Sequence, residues 1–497
     1  MTNYTKPEVS QAEIDAAFSD EYRAMWNSGV QKKIDADIEA NRKADGEFQL
    51  PDSAAGKEIK AEQISHDFIF GAHIFNFDQL GTCERNDRYK ELYGSLFNSA
   101  TIAFYWKQLE LEEGKPRFRP SWRDSEFFWN KCPTPYLEPH WRRPPTDPVV
   151  EFCLSKGIRL HGHTLTWGSN SWQIPDWLIE KLPEQFRKKT DMKRKSGSGV
   201  LPSNATGAAF EGMSAQEVEE ALGDEYATLL NTLMAKRIME IAVRYGDKID
   251  SWDVVNESAT DFGLNNMIPG SKICKSWYGP MPGDYAYRSF KIAESVLPEK
   301  AKFNINDYNM RDDYPNQVNN LLQRGCKIDI MGAQMHLFDP QICQDIADGK
   351  STRQSPDEVN STMERLSRAN LPIHLSEITI TAPENSRKGE IIQAEIARNL
   401  YRLWFSTKPM MGITWWNVVD NCGAPGEPST SGLFTRDMQP KLVYFTLNDL
   451  INKEWRTNLV CKADNNGKIA FRGFRGNYRL SWLDDQGNIQ TIEQYLK

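Results

Sequence analysis

Eight short runs of apolar and β-branched residues recur along the chain, at 68–72, 100–105, 158–163, 249–255, 302–306, 328–335, 373–377 and 412–416. Each has strand length and turn residues at its ends, so each reads as a strand buried on both faces. Between several of them lie stretches with helical spacing, at 229–245, 287–296, 356–369 and 389–406. A strand followed by a helix, repeated, is the pattern of parallel strands joined by crossovers. The repetition predicts an α/β protein built as a closed (β/α)8 barrel, with a doubly wound open sheet as the alternative. No Gly-x-Gly-x-x-Gly turn follows an early strand, which weakens the open sheet.

The barrel pattern occupies residues 66–450 of the 497. Residues 1–65 read as an N-terminal extension, polar and helical to about residue 45 and then a strand at 57–64. Residues 451–497 alternate in strand fashion from Lys468 to Trp482 and turn at Asp484-Asp485-Gln486-Gly487, which predicts a small β appendage pairing with that N-terminal strand. Two insertions interrupt the barrel. Residues 118–148 are aromatic and proline-rich, too apolar for a floppy loop and too rich in proline for a helix, and are expected to fold over one rim. Residues 186–213, basic and then small and polar, read as a solvated loop.

The net charge of −8 argues against nucleic acid or an anionic membrane as the main partner. The Arg-Gly-Phe-Arg-Gly segment at 472–476 is too short to reverse that. No apolar run approaches the ~18 residues of a membrane span, and Met1 opens into polar sequence without a signal-peptide core. The eight cysteines show no Cys-x-x-Cys spacing, so no zinc or thioredoxin-type site is expected.

Two of the strands end in a carboxylate. Trp252-Asp253-Val254-Val255-Asn256-Glu257-Ser258 leaves the fourth strand, and Ile373-His374-Leu375-Ser376-Glu377-Ile378-Thr379-Ile380 is the seventh. Either glutamate alone reads as a salt-bridged strand end. Together, three strand-helix units apart, they face each other across the mouth of a barrel, where such enzymes keep their chemistry. Retaining cleavage of a glycosidic bond needs that pair: an acid to protonate the leaving oxygen and a carboxylate about 5 to 5.5 Å away to attack the anomeric carbon.

Trp-Asp-Val-Val-Asn-Glu and the Ser-Glu-Ile-Thr strand resemble the acid/base and nucleophile signatures of family 10 glycoside hydrolases, which include the xylanases. The resemblance extends to His161-Gly162-His163-Thr164-Leu165-Thr166-Trp167, Asn306-Asp307-Tyr308-Asn309, Gln334 with His336, and Gly412-Ile413-Thr414-Trp415-Trp416-Asn417. It implies Glu257 as acid/base, Glu377 as nucleophile, and a sugar site formed by His163, Trp167, Asn256, Asn306, Gln334, His336 and Trp416. It further implies a monomeric, secreted or periplasmic enzyme acting on a polysaccharide or oligosaccharide, without cofactor or metal, most simply an endo-1,4-β-xylanase-like hydrolase.

The chain departs from the family pattern beside the catalytic pair. Where the xylanases carry Glu-Asn-x-x-Lys-Trp after the second strand, it has Thr101-Ile102-Ala103-Phe104-Tyr105-Trp106. Gly168, Asn170 and Thr379 replace a His, a Gln and an Asp, and the loop 421–426 lacks a further Trp. An exo-acting β-glycosidase on a decorated or uronic-acid-containing glycan is therefore the alternative. Arg142 and Arg143, in the aromatic insertion, are suited to pair with such a uronic acid. Two rivals of other classes are a metal-dependent barrel hydrolase using His161 and His163, and a non-catalytic carbohydrate-binding barrel.

Overall fold

The polar N-terminal segment forms three helices, Gln11–Ala17, Asp20–Met25 and Ser28–Arg42, whose first turns are capped by Ser10, Ser19 and Asn27. They pack on the outside of the barrel, where Gln31 and Tyr22 meet Asn399, and Asp35 pairs with Arg402. The third helix ends at Lys43 in extended backbone and runs directly into strand β1 (Lys43–Gln49), followed by β2 (Glu58–Gln63). β1 is a departure from the sequence reading, which kept residues 43–45 helical. Its Phe48 is buried against Phe471 of the C-terminal sheet, so tertiary packing takes those residues into a strand.

In the computed structural model, which describes residues 4–131, 143–194, 202–424 and 426–497, the eight apolar runs form one closed parallel barrel. Its strands are β3 (Ile69–His73), β4 (Ser99–Ala103), β5 (Arg159–Thr166), β6 (Ser251–Asn256), β9 (Lys302–Asp307), β10 (Ile330–Leu337), β11 (Ile373–Ile380) and β12 (Met410–Trp415). A short hairpin, β7 (Ile273–Lys275) and β8 (Pro280–Pro282), is inserted after β6. β12 pairs with β3 from Gly412–Ile69 to Trp415–Ala72 and closes the ring. Every residue of β11 is buried, as expected of a strand with the barrel interior on one face and helices on the other. Among the described residues no helix is long and apolar enough to cross a membrane.

Beyond the barrel, β13 (Asn458–Lys462), β14 (Lys468–Phe474), β15 (Gly476–Leu483) and β16 (Ile489–Leu496) combine with the two N-terminal strands. β2 lies between β13 and β15, and β1 pairs antiparallel with β14. Ile59, Ala61, Ile469, Tyr478, Leu480 and Trp482 form its own small core. The appendage is thus made from both ends of the chain.

The two insertions differ from expectation in part. Of residues 118–148, Trp122–Asp124 is a 3-10 turn and Glu126–Lys131 a helix, because no proline falls between Pro120 and Pro133. Residues 132–142 lie outside the described residues, and Arg142 with them. Of residues 186–213, the start belongs to the helix Glu184–Arg194 rather than to a loop. Phe186 is buried and stacks on Phe210 with ring centroids 4.2 Å apart, which anchors both ends of the segment.

One close approach fixes where β5 and β6 sit relative to each other. A Cβ at Gly162 would lie 2.2 Å from a ring carbon of Trp252, so only glycine lets the indole cover β5 between His161 and His163. Gly162→Ala is expected to lower stability by about 1 to 3 kcal/mol through overpacking. Thermal unfolding checks this; an unchanged melting temperature would mean that the indole simply moves aside.

Candidate active site

The fourth strand of the barrel, β6, ends at Asn256, and the backbone turns sharply at Glu257, which adopts a left-handed conformation with φ of 53°. That is an uncommon conformation for a residue with a Cβ, and the surroundings enforce it. The Glu257 amide donates to the Asn306 carbonyl at 2.8 Å. Behind it, the buried carboxylate of Asp307 accepts from the Ala259 and Asn309 amides, each at 2.8 Å. Burial pushes Asp307 up to about 7 despite those donors. The Glu257 carboxyl is thereby aimed into the barrel mouth.

There its Oε2 accepts from the Tyr278 hydroxyl, and its Oε1 from the Gln334 amide at 3.3 Å. Burial pushes Glu257 up to about 7; the Tyr278 and Gln334 donors oppose the rise, and the charge of Glu377 adds to it.

Glu377 belongs to β11 and is buried. Its Oε1 accepts from Asn306 Nδ2 at 2.8 Å and lies 3.8 Å from His163 Nε2, while Oε2 lies 3.4 Å from His336 Nε2. Burial pushes it, too, up to about 7, with His163 and Asn306 pulling the other way. Two amides join the carboxyls. Asn306 Nδ2 also donates to Asn256 Oδ1 at 2.9 Å, and Gln334 Nε2 reaches the same oxygen at 3.3 Å. The run Glu257, Gln334, Asn256, Asn306, Glu377 is one continuous set of hydrogen bonds across the mouth.

A second network lies beneath. Asp253 Oδ2 is shared by His161 Nε2 at 2.9 Å and His163 Nδ1 at 2.7 Å, and His161 Nδ1 meets Ser251 Oγ at 2.8 Å. Burial alone would raise the Asp253 carboxyl, but the two imidazoles hold it well below the usual carboxylate range. The two histidines are thus directed at a carboxylate, not splayed around a shared metal position. Among the described residues no group of three or more His, Cys, Asp or Glu could hold a metal ion.

The carboxyls open into a cavity of about 220 Å³. Of the residues expected from the sequence, Glu257, Glu377, His163, Trp167, Asn256, Gln334, His336, Trp416 and Arg143 line it. Asn306 does not. It is fully buried, with its amide spent on Asn256 and Glu377 and its carbonyl on Ser376 Oγ, so it positions Glu377 from below rather than facing the cavity. Trp416 is packed edge-on against Phe75 and His163, with centroids 5.2 and 5.4 Å away. The departures after the second strand divide by face: Ile102 and Phe104 enter the main core, and Ala103 and Tyr105 turn to the site.

Sequence reasoning missed Tyr278, Trp172, Phe338 and Glu427, all of which line the cavity. Phe338 was within reach, since it stands two residues after His336 and stacks on it with centroids 4.1 Å apart. Tyr278 sits between β7 and β8, in an irregular insertion whose direction no periodicity reveals.

The chain belongs to glycosyl hydrolase family 10, whose model matches residues 62–450. Among curated relatives it is 25% identical over 303 residues to endo-1,4-β-xylanase A of Halalkalibacterium halodurans, covering 57% of this chain and 64% of that protein. It is also 25% identical over 460 residues to endo-1,4-β-xylanase C of Paenibacillus barcinonensis, covering 85% of this chain and 34% of that one. An anti-sigma-I factor, RsgI6 of Acetivibrio thermocellus, is likewise 25% identical, over 67% of this chain and 34% of that protein. The chain therefore spans less than two thirds of the length of each. Among solved structures, native xylanase 10B of Thermotoga maritima superposes with a TM-score of 0.51 at 18% identity, over 78% of this chain and 96% of that one, and shares the fold.

Tyr278→Phe removes a donor that favours the ionised form of Glu257. A hydrogen bond to a charged group contributes about 1.5 to 3 kcal/mol, and roughly 1.4 kcal/mol corresponds to one pKa unit. The alkaline limb of a pH–rate profile is therefore expected to move up by about one unit or more. A limb that stays in place would show that Tyr278 does not act on Glu257.

Proposed function

We propose that the protein is a retaining β-glycosidase that hydrolyses a plant-type polysaccharide in the manner of an endo-1,4-β-xylanase, with Glu257 as acid/base and Glu377 as nucleophile. The observation that carries this reading is the pair of carboxyls, one just past the end of β6 and one within β11, joined through Asn256, Asn306 and Gln334 and facing one cavity. Family membership and relatives named endo-1,4-β-xylanase support the substrate class.

The geometry divides the labour. Burial raises both carboxyls alike; the Tyr278 and Gln334 donors pull Glu257 back, and His163 and the Asn306 amide pull Glu377 back. The proton the pair shares is assigned to Glu257 by the acid/base role that the Trp-Asp-Val-Val-Asn-Glu motif implies. Glu377 then attacks the anomeric carbon of a sugar lying over it, and Glu257 gives its proton to the departing glycosidic oxygen. The bond to Glu377 is broken in the second step by water, which Glu257, now a base, deprotonates. Asn256, with its Oδ1 occupied by two amides, keeps its own amide hydrogens for a hydroxyl beside the reacting carbon, and such a bond tightens as positive charge develops on the ring.

Three measurements test the assignment. Glu377→Gln is expected to abolish formation of the glycosyl-enzyme, while Glu257→Ala is still glycosylated by aryl glycosides with very good leaving groups, which need no proton. kcat/KM should fall as pH rises through about 7, where Glu257 loses its proton, and Glu257→Ala on such an activated substrate should lose that alkaline limb. Linear xylan should give a ladder of xylo-oligosaccharides, and NMR should show the β-anomer first. Inversion would end the retaining reading, and release of monosaccharide alone would end the endo reading.

A further inference from the structure

At its far end the cavity holds two opposite charges that bond cleavage does not use. Arg143 lies with its guanidinium carbon 4.4 Å from the ring centroid of Phe75, 4.6 Å from Tyr105 and 5.4 Å from Trp172, only 8% exposed. Glu427 lines the same cavity, half-buried, from the loop after β12. Both are held from behind. Arg117 donates to the Arg143 carbonyl at 3.3 Å and to the Gln108 carbonyl at 3.0 Å, and pairs with Asp124 at 2.7 Å. Pro144 and Pro145 then restrict the backbone that leaves Arg143. Glu427 closes its own turn, its amide donating to the Ala424 carbonyl at 2.9 Å and its Oε2 accepting from the Ala424 amide at 2.7 Å.

Their place relative to the reacting carbon follows from a series of contacts. His163 borders Glu377, the Tyr105 ring meets His163 with centroids 5.3 Å apart, and Arg143 lies beyond Tyr105. The leaving group departs on the Glu257 side, where Tyr278 stands. With Tyr105 standing between it and the imidazole that borders Glu377, Arg143 is assigned to the glycone side.

A guanidinium offers only donors in a planar fork, and a carboxylate offers only acceptors. Each hydroxyl of a sugar both donates and accepts, so a vicinal pair of hydroxyls satisfies the two groups together, with Tyr105 and Trp172 supplying apolar ring faces. A carboxylated sugar fits less well, because what it gains from Arg143 it loses to the like charges of Glu427 and Glu377 in the same cavity. Burial works against the Arg143 charge, and Tyr105, Glu427 and Glu377 sustain it.

Resting on the glycosidase reading above, we propose that Arg143 and Glu427 bind vicinal hydroxyls of a neutral sugar one ring beyond the one attacked, so that the insertion and the loop after β12 together supply the polar contacts that Ala103 and Tyr105 do not.

The test compares aryl β-xyloside with aryl β-xylobioside, and the matching glucoside with cellobioside, on the full chain. Arg143→Gln and Glu427→Gln are each expected to lower kcat/KM on the disaccharide glycosides by roughly 10- to 100-fold. On the monosaccharide glycosides the loss should be smaller by roughly tenfold or more, because no sugar reaches the pair there. A disaccharide glycoside with an outer uronic acid should be cleaved more slowly than its neutral counterpart by the native chain, and Glu427→Gln should narrow that gap. Equal losses on both lengths, no loss on either, or a native preference for the uronic acid would each overturn the proposal. If Arg143→Gln does not fold, Glu427→Gln decides alone. If the native chain cleaves none of the glycosides, the glycosidase reading fails instead, and calorimetric titration with xylobiose and cellobiose then decides this one: binding weakened in both variants supports the pair, and unchanged binding overturns it.

Discussion

A parallel sheet leaves unpaired backbone groups at both edges, and the hydrogen bonds between β12 and β3 are what remove those edges here. Closure has a chemical consequence. Once the ring is complete, the C-terminal ends of all eight strands converge on one mouth, and side chains from β5, β6, β9, β10 and β11 meet although they are far apart in sequence. Each strand's register against its neighbour then sets the height of its last residues. Gln334 stands level with Glu377 across the β10–β11 pair, and Asn256 level with Asn306 across β6–β9, which is why the amides can join the carboxyls.

The site built at that mouth works against stability. Two carboxyls with raised pKa values, and Asp307 behind them, are more costly to bury as anions than as neutral acids. For such groups the native state binds protons that the unfolded chain has already released, so their contribution to stability declines as pH rises from the ordinary carboxylate range towards about 7. The left-handed backbone at Glu257 adds strain. The barrel tolerates this because its core is large and the two carboxyls are tied into one set of hydrogen bonds with Asn256, Asn306 and Gln334.

The barrel was legible in the sequence because parallel strands buried on both faces are written as unbroken apolar runs, and all eight runs became barrel strands within a few residues of their predicted ends. The pair Glu257 and Glu377 was legible because two such runs, three strand-helix units apart, carry a carboxylate in matching places; either one alone would read as a salt-bridged strand end. What stayed hidden lies in elements without a period. Tyr278 and Glu427 sit in turns whose direction depends on packing, and the first residues of β1 read as the tail of a helix until its partner strand, β14, is in place. Asn306 was placed in the sugar site by the resemblance of the segment Asn306-Asp307-Tyr308-Asn309 at the end of its strand. Period two gives the face of a residue but not its depth, and one layer below the surface the same amide becomes a support for Glu377.

Depth also separates the two imidazoles that approach Glu377. His336 Nδ1 is paired with the Thr379 hydroxyl at 3.0 Å, and burial holds the ring down at about 4. A hydroxyl carries no charge with which to stabilise an imidazolium, so His336 is neutral near pH 7, and with Thr379 donating to Nδ1 its Nε2 hydrogen is the one that points towards Glu377. His163 is tied instead to Asp253, an ionised carboxylate that also holds His161. The two arms on Glu377 are therefore unlike: one ends in a neutral hydroxyl, the other in a buried anion whose field fixes the imidazole between it and Glu377. With Thr379 in the place where an aspartate would give His336 an ionic partner, the ionic arm on Glu377 comes from β5 and β6, the same strands that Gly162 and Trp252 lock together.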